Sequence, residues 1–282
     1  MRFASVLLGL STFTLVSSAL GQTGFRFAHS GGLIQSAVEH RWTDDSRANQ
    51  FTYLELWRNR NTDKFGKVLV DESAKFESVF LDGKPYLRML ERNGVPLAGD
   101  EARAEEERYN STIASGSEVT MQERIAGIVS RSVGLGINLD LIPEYFQSVL
   151  VGMDAVNGRD AFKFDCTPRA DVKPKSREDA KGTQFHLMVW IDARDLEFAR
   201  VDAQLLKDRD HMLSGTNASM TWAPADGVWL PLEMIIRGQE KNKRGPLVFQ
   251  TEYEFSNYRK FRSNSRILRI APLIEVNSPF ER

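Results

Sequence analysis

Along most of this chain the apolar positions recur every second residue, the period of a strand with one buried face. Val68, Val70, Ala74, Phe76 and Phe80 fall on one side of a long stretch, with Asp71, Ser73, Lys75 and Glu77 on the other. Before it, Phe51, Tyr53 and Trp57 share one side with Glu55, while Leu54 and Leu56 lie opposite, so both faces of that strand are expected to be partly covered. Asp82-Gly83 signals a hairpin into Pro85–Leu90, and Asn93-Gly94 a second turn. The second half repeats the pattern. Gln147–Val156 and Asp160–Thr167 flank Asn157-Gly158, followed by the alternating sets Phe185, Leu187, Val189, Ile191 and Ala199, Val201, Ala203, Leu205. Asn217–Trp222 turns at Pro224–Gly227 into Val228, Leu230, Leu232, Met234 and Ile236. A last turn at Lys241–Gly245 leads to Phe249, Tyr253 and Phe255, with Glu252 and Glu254 on the reverse. About ten strands in antiparallel hairpin order are predicted.

Helical spacing interrupts this pattern in two places. Leu33, Ala37, Val38 and Trp42 predict a first helix over Gly32–Asp45. Between Gly99 and Tyr145 a Glu- and Arg-rich segment, read as a solvated helix face, precedes an amphipathic one carrying Met121, Ile125, Ile128, Val129 and Ser132 on one stripe. Gly134–Leu139, glycine-punctuated and apolar, reads as a buried connector, with a mobile flap as the alternative. Pro168–Lys181, rich in charge and carrying two prolines, has little to bury and is expected to be an exposed loop.

Strands with one apolar face need a partner for it, and curling the sheet into a barrel or half-barrel capped by helices supplies one. The fold expected is therefore α+β: mainly antiparallel β, an open or incomplete barrel of about ten strands with a helical lid. Its concave face would carry Phe51, Phe76, Phe80, Phe164, Leu187, Val189, Leu232, Met234, Tyr253 and Phe255. Such an interior either packs on itself or receives an apolar ligand, and acyl chains are the chemistry that fits.

The N-terminus assigns a compartment. Arg2, the apolar run Val6–Val16 and the small residues Ala19 and Gly21 form a secretory signal peptide over 1–21, with cleavage expected near Gly21 and no lipid-modifiable cysteine after it. Residues 22–282 are then read as a single exported domain, periplasmic or secreted, with a helical insertion at about 99–146 and an exposed loop at about 168–182. Removing the leader takes the charge balance from 37 cations and 38 acids to 36 and 38, a net of -2. That balance offers no basic field for nucleic acid. Cys166 is the only cysteine, so no internal disulfide is available, and it reads as a small buried hydrophobe.

Catalytic chemistry is not legible. His29, His40, His186 and His211 are scattered, without metalloprotease spacing or a serine elbow beside them, and no metal or cofactor is expected. A lipid-facing outer-membrane barrel is disfavoured by the charged second faces and by the C-terminal Phe280-Glu281-Arg282.

Four phrases carry a resemblance: Phe80–Arg88, Asn93–Leu97 before a Glu-rich helix, the Val156–Phe162 hairpin and the closing Tyr253–Phe261. In layout and turns the chain resembles the outer-membrane lipoprotein-sorting carrier superfamily. The resemblance implies an open barrel with a helical lid over an apolar cavity, and a lipid or lipoprotein acyl chain as partner, with envelope membrane proteins as further partners. The expected function is that of a non-enzymatic periplasmic carrier or binding protein for a lipid or lipidated partner. An envelope sensor or protein-interaction module on the same fold, and a hydrolase, are the alternatives.

Overall fold

A computed structural model describes residues 30–48, 50–81, 84–115, 137–243 and 245–260. The expected signal peptide, the Asp82-Gly83 turn and the amphipathic stripe from Met121 to Ser132 lie outside the described residues. Helix α1 (Ser30–Ala48) leads into strands β1 (Phe51–Thr62), β2 (Val68–Leu81), β3 (Lys84–Arg92) and β4 (Val95–Pro96), then helix α2 (Gly99–Ser115). A single 3-10 turn at Leu139–Leu141 and the one-turn helix α3 (Ile142–Tyr145) precede β5 (Phe146–Val156) and β6 (Arg159–Pro168). The short helix α4 (Arg177–Gly182) then leads to β7 (Phe185–Asp192), β8 (Phe198–Leu205), β9 (Asn217–Ala225), β10 (Val228–Glu240) and β11 (Leu247–Lys260).

All eleven strands form one antiparallel sheet in the order β4-β3-β2-β1-β11-β10-β9-β8-β7-β6-β5. Neighbours in space are neighbours in sequence except for β1 and β11, which pair from Phe51↔Lys260 to Thr62↔Val248. The hairpins follow from their turn residues. Asn93-Gly94, Asn157-Gly158 and Asp226-Gly227 each hold two successive residues at positive φ, the geometry whose twist matches the flanking strands.

The sheet does not close, and its two edges differ. At β3 the backbone is covered by α2: Glu105 accepts from the Met89 N–H at 3.2 Å and from the Tyr86 hydroxyl at 2.9 Å, while Arg108 donates to the Leu87 carbonyl at 2.8 Å. Two side chains thus stand in for the missing neighbour strand, and the Glu-rich helix has a structural task on this edge. At β5 no described strand follows, and Val149, Val151 and Met153 are exposed.

The expected loop at 168–182 contains α4, capped by Ser176 accepting from the Asp179 N–H at 3.0 Å. The Tyr145 hydroxyl ties it down, donating to Asp179 and accepting from the Lys175 N–H. The charge lies outside and the backbone is anchored by one buried tyrosine.

Opposite, a polar knot fixes three strands. Arg159 on β6 donates to both oxygens of Asp192 at 2.6 and 2.9 Å and to Asp195 at 2.6 Å, while the β10 residue Trp229 donates to Asp195 at 3.3 Å. Burial by itself would raise the Asp192 pKa. Arg159 and the backbone N–H groups of Arg194 and Asp195 outweigh it and hold the carboxyl below its usual range. A depressed carboxyl stabilises the fold above its unfolded-state pKa of about 3.9, and that contribution is lost as pH falls from there through the lower folded value. Arg159→Met, which leaves the buried Asp192 unpaired, is expected to cost about 3 kcal/mol in denaturant unfolding at neutral pH. The cost should shrink in melts taken below about pH 4, where the carboxyl becomes protonated.

Candidate functional site

Helix α1 lies against the concave face of the sheet. Its apolar side is small: Ile34, Ala37, Val38 and Ala48 are buried, and Leu33 is half-buried. Trp42, expected on that stripe, is 56% exposed and donates to Asp140 at 2.9 Å. At helical spacing Ile34, Ala37, Val38 and Arg41 form the inward row, which turns position 42 outward. The polar tethers of α1 sit in its C-terminal half. Buried Asp44 accepts from the Trp229 N–H at 2.5 Å, the Arg41 guanidinium stacks 5.1 Å from the Trp222 ring, and His40 lies 3.8 Å from Glu197.

Beneath the helix is one apolar interior that draws buried residues from every long strand but β2 and β3, with half-buried Leu87 of β3 packed against it. Of the ten candidate residues it unites seven: Phe51, Phe164, Leu187, Val189, Met234, Tyr253 and Phe255, all buried. Tyr53 packs edge-on to Phe255 with ring centroids 5.8 Å apart. Phe76 is half-buried outside this cluster, beside Glu55 on β1, and the Phe80 side chain lies outside the described residues. Leu232 is left out of the interior, 38% exposed. The pairing of β10 with β9 shifts between Pro231 and Glu233, and the extra residue is Leu232 itself, so the even-numbered alternation drawn through it breaks there and resumes at Met234 and Ile236. Cys166 is fully buried, its thiol pushed up to about 11 chiefly by burial, which makes it inert packing.

Polar groups also reach the interior, among them buried Glu55 and half-buried Tyr258. Glu55 is 3% exposed on the apolar face of β1, next in register to Phe255 and Phe76. Tyr258 donates to the Pro231 carbonyl at 2.6 Å, and burial first, then Tyr53 and Glu55, raise its pKa well above the usual tyrosine value.

The reverse face carries a concavity that the alternation alone does not reveal. A groove of about 510 Å³ runs over β7, β8, β9 and β10, with Arg200, Asp202, Glu233 and Arg237 among its walls beside Met188 and Ile235. Arg200 donates to both oxygens of Asp202, Ser219 donates to Asp202, and His186 sits 2.7 Å from Asp165. None of the ten candidates lines it. Its residues are the polar partners of the apolar positions used to find the interior. The polar parity was legible; the concavity comes from the twist of four adjacent strands. Among the described residues no cluster of His, Cys, Asp and Glu is arranged to hold a metal ion, and no described helix is long and apolar enough to cross a membrane.

No protein-family model and no curated relative matches the chain. Similar solved structures include a DUF1329 family protein from Desulfovibrio piger, 19% identical over 81% of this chain and 95% of that one, with a TM-score of 0.32. A putative outer-membrane lipoprotein-sorting protein domain from Vibrio parahaemolyticus is 12% identical over 83% of this chain and 95% of that one, TM-score 0.36. A LolA superfamily protein from Nitrosomonas europaea is 9% identical over 81% and 93%, TM-score 0.34. Likeness at this level does not transfer a function.

The contrast between Leu232 and Phe164 is measurable. Leu232→Arg is expected to change stability by no more than about 0.5 kcal/mol, as for other exposed positions. Phe164→Ala is expected to cost about 3–5 kcal/mol by opening a void in the interior. Denaturant unfolding of both variants checks the pair; equal costs would put the register of β10 in error.

Proposed function

We propose that this chain is a non-catalytic binding protein of the cell envelope, and that its half-barrel takes up the acyl chains of a lipid or lipidated partner. The observation that carries this reading is an apolar interior whose described cover is α1, with a small apolar face, beside Leu139, Ile142 and Tyr145 of the 3-10 turn and α3. Lifting α1 from the sheet would uncover the part of that interior on β5, β7, β8 and β10, the strands it lies over. The exchange is energetically near balance. An acyl chain burying roughly 14 methylenes gains on the order of 10 kcal/mol, and uncovering the few apolar side chains of α1 costs about 6–8 kcal/mol by the same reckoning. The tethers at Arg41 and Asp44 leave the N-terminal half of α1 as the end that lifts. Val151 and Met153, exposed on the uncovered edge strand, offer an apolar lip beside the half-buried Leu150 and Phe162.

The groove on the reverse face favours a second reading, a protein-interaction module in which the interior stays filled and a polar segment docks outside. Lipid content separates the two. Protein purified gently from envelopes is expected to retain acyl lipid in native mass spectrometry. Asp44→Ala, which releases α1 from Trp229, is expected to raise the uptake rate of a fluorescent fatty acid several-fold once a cooperative thermal melt shows that it folds. An interior free of lipid in repeated preparations, with no probe uptake by either protein, would reject the carrier and leave the module.

A further inference from the structure

The turn between β1 and β2 presents an aromatic ring to solvent and is built to keep it there. Asp63 accepts from the N–H groups of Phe65 and Lys67, both at 2.9 Å, and its own N–H donates to the Lys67 carbonyl at 2.9 Å. Gly66, at φ +83°, donates to the Asp63 carbonyl and closes the turn. At its tip Phe65 is 84% exposed, a hydrophobic penalty imposed by a turn whose polar groups are satisfied.

Phe65 is not isolated. Thr62 pairs with Val68 on one side and Val248 on the other, and Val68, Leu69 and Val248 are 40%, 50% and 40% exposed, so an apolar patch continues from the tip onto the ends of three adjacent strands. Cations surround it. Lys64 holds its ammonium 4.9 Å from the Phe65 ring, with its aliphatic stem beside Gly245 in the neighbouring β10–β11 turn. Lys67 is exposed in the same turn, and Lys243 is exposed in the β10–β11 turn that the Lys64 stem reaches. The nearby acids are engaged: Asp63 inside its own turn, Asp71 with Arg60 at 4.0 Å, and Asp208 with Lys241 at 3.1 Å.

From this we infer that the tip is a docking surface for an anionic lipid bilayer. Phe65 enters the interface, Val68, Leu69 and Val248 follow at its rim, and Lys64, Lys67 and Lys243 meet the headgroups. The charge decides between occupants. Lysine is depleted where proteins bury surface against one another, whereas an exposed aromatic ringed by lysines matches both the apolar and the negatively charged layers of a membrane surface. The inference does not depend on what the interior binds.

The test uses the mature full chain in co-sedimentation with phosphatidylcholine vesicles and with mixed phosphatidylcholine–phosphatidylglycerol vesicles. Binding is expected on the anionic vesicles, weaker on the neutral ones, and diminished as salt shortens the screening length. Phe65→Ser and the double variant Lys64→Gln/Lys67→Gln are each expected to lower the partition coefficient about tenfold with an unchanged melt, since these side chains are exposed. Phe65→Ser is expected to take up the fluorescent fatty acid like the wild type, which separates docking from uptake by the interior. No binding to anionic vesicles, or binding indifferent to Phe65→Ser, would overturn the inference. So would a concentration-dependent dimer abolished by Phe65→Ser, which would assign the patch to a second copy of the chain.

Discussion

The pairing of β1 with β11 is the constraint on which the rest of this structure depends. Without it the chain would be two separate meanders, β1 to β4 and β5 to β11, each with an apolar face and none to set against it. Joined over the register from Phe51↔Lys260 to Thr62↔Val248, they share one concave face, and Phe51 and Tyr53 from the first strand pack with Phe255 and Tyr258 from the last. The join spans almost the whole described chain, so its loop-closure cost is met late in folding and recovered through the interior it completes.

That interior and the sheet's edges pose one problem with two solutions. An open sheet has two unpaired backbones. One is answered by Glu105 and Arg108 of α2, which bond the β3 edge as a neighbouring strand would. The other, at β5, is blunted only by the register shift between Leu150 and Gly152 and carries exposed Val149, Val151 and Met153. The covered edge gives the half-barrel a rigid wall; the uncovered one gives it an apolar lip. Helix α1 stands between them as the described roof, held by specific polar contacts at one end and by a few small side chains along its length.

The exposed tip at Phe65 lies outside this arrangement and serves no packing purpose within it. A core residue in that position would be a fault. Set beside Lys64 and Lys67 on a turn locked by Asp63, it is the feature on which the proposed docking rests. A docking tip and an apolar interior in one molecule would bring the half-barrel to the surface from which acyl chains come.

Much of this protein is determined by short stretches of its sequence alone. Alternation at Phe185–Ile191 and Phe249–Phe255, and the turns at Asn93-Gly94, Asn157-Gly158 and Pro224–Gly227, place strands and hairpins, because side-chain parity and left-handed turn residues are properties of a few consecutive residues. Tertiary structure decided what such windows cannot contain. The shift at Pro231/Glu233 moved Leu232 out of the interior, and the choice of Ile34, Ala37 and Val38 over Trp42 set the rotation of α1. The twist of β7 to β10 hollowed the groove around Arg200, Asp202 and Glu233. The pairing of β11 with β1 set Val248 opposite Thr62 and brought Gly245 to the stem of Lys64, residues about 180 positions apart in sequence. Register, rotation and proximity are set by the sum of many weak contacts across the sheet, and a periodicity read one strand at a time carries none of that sum.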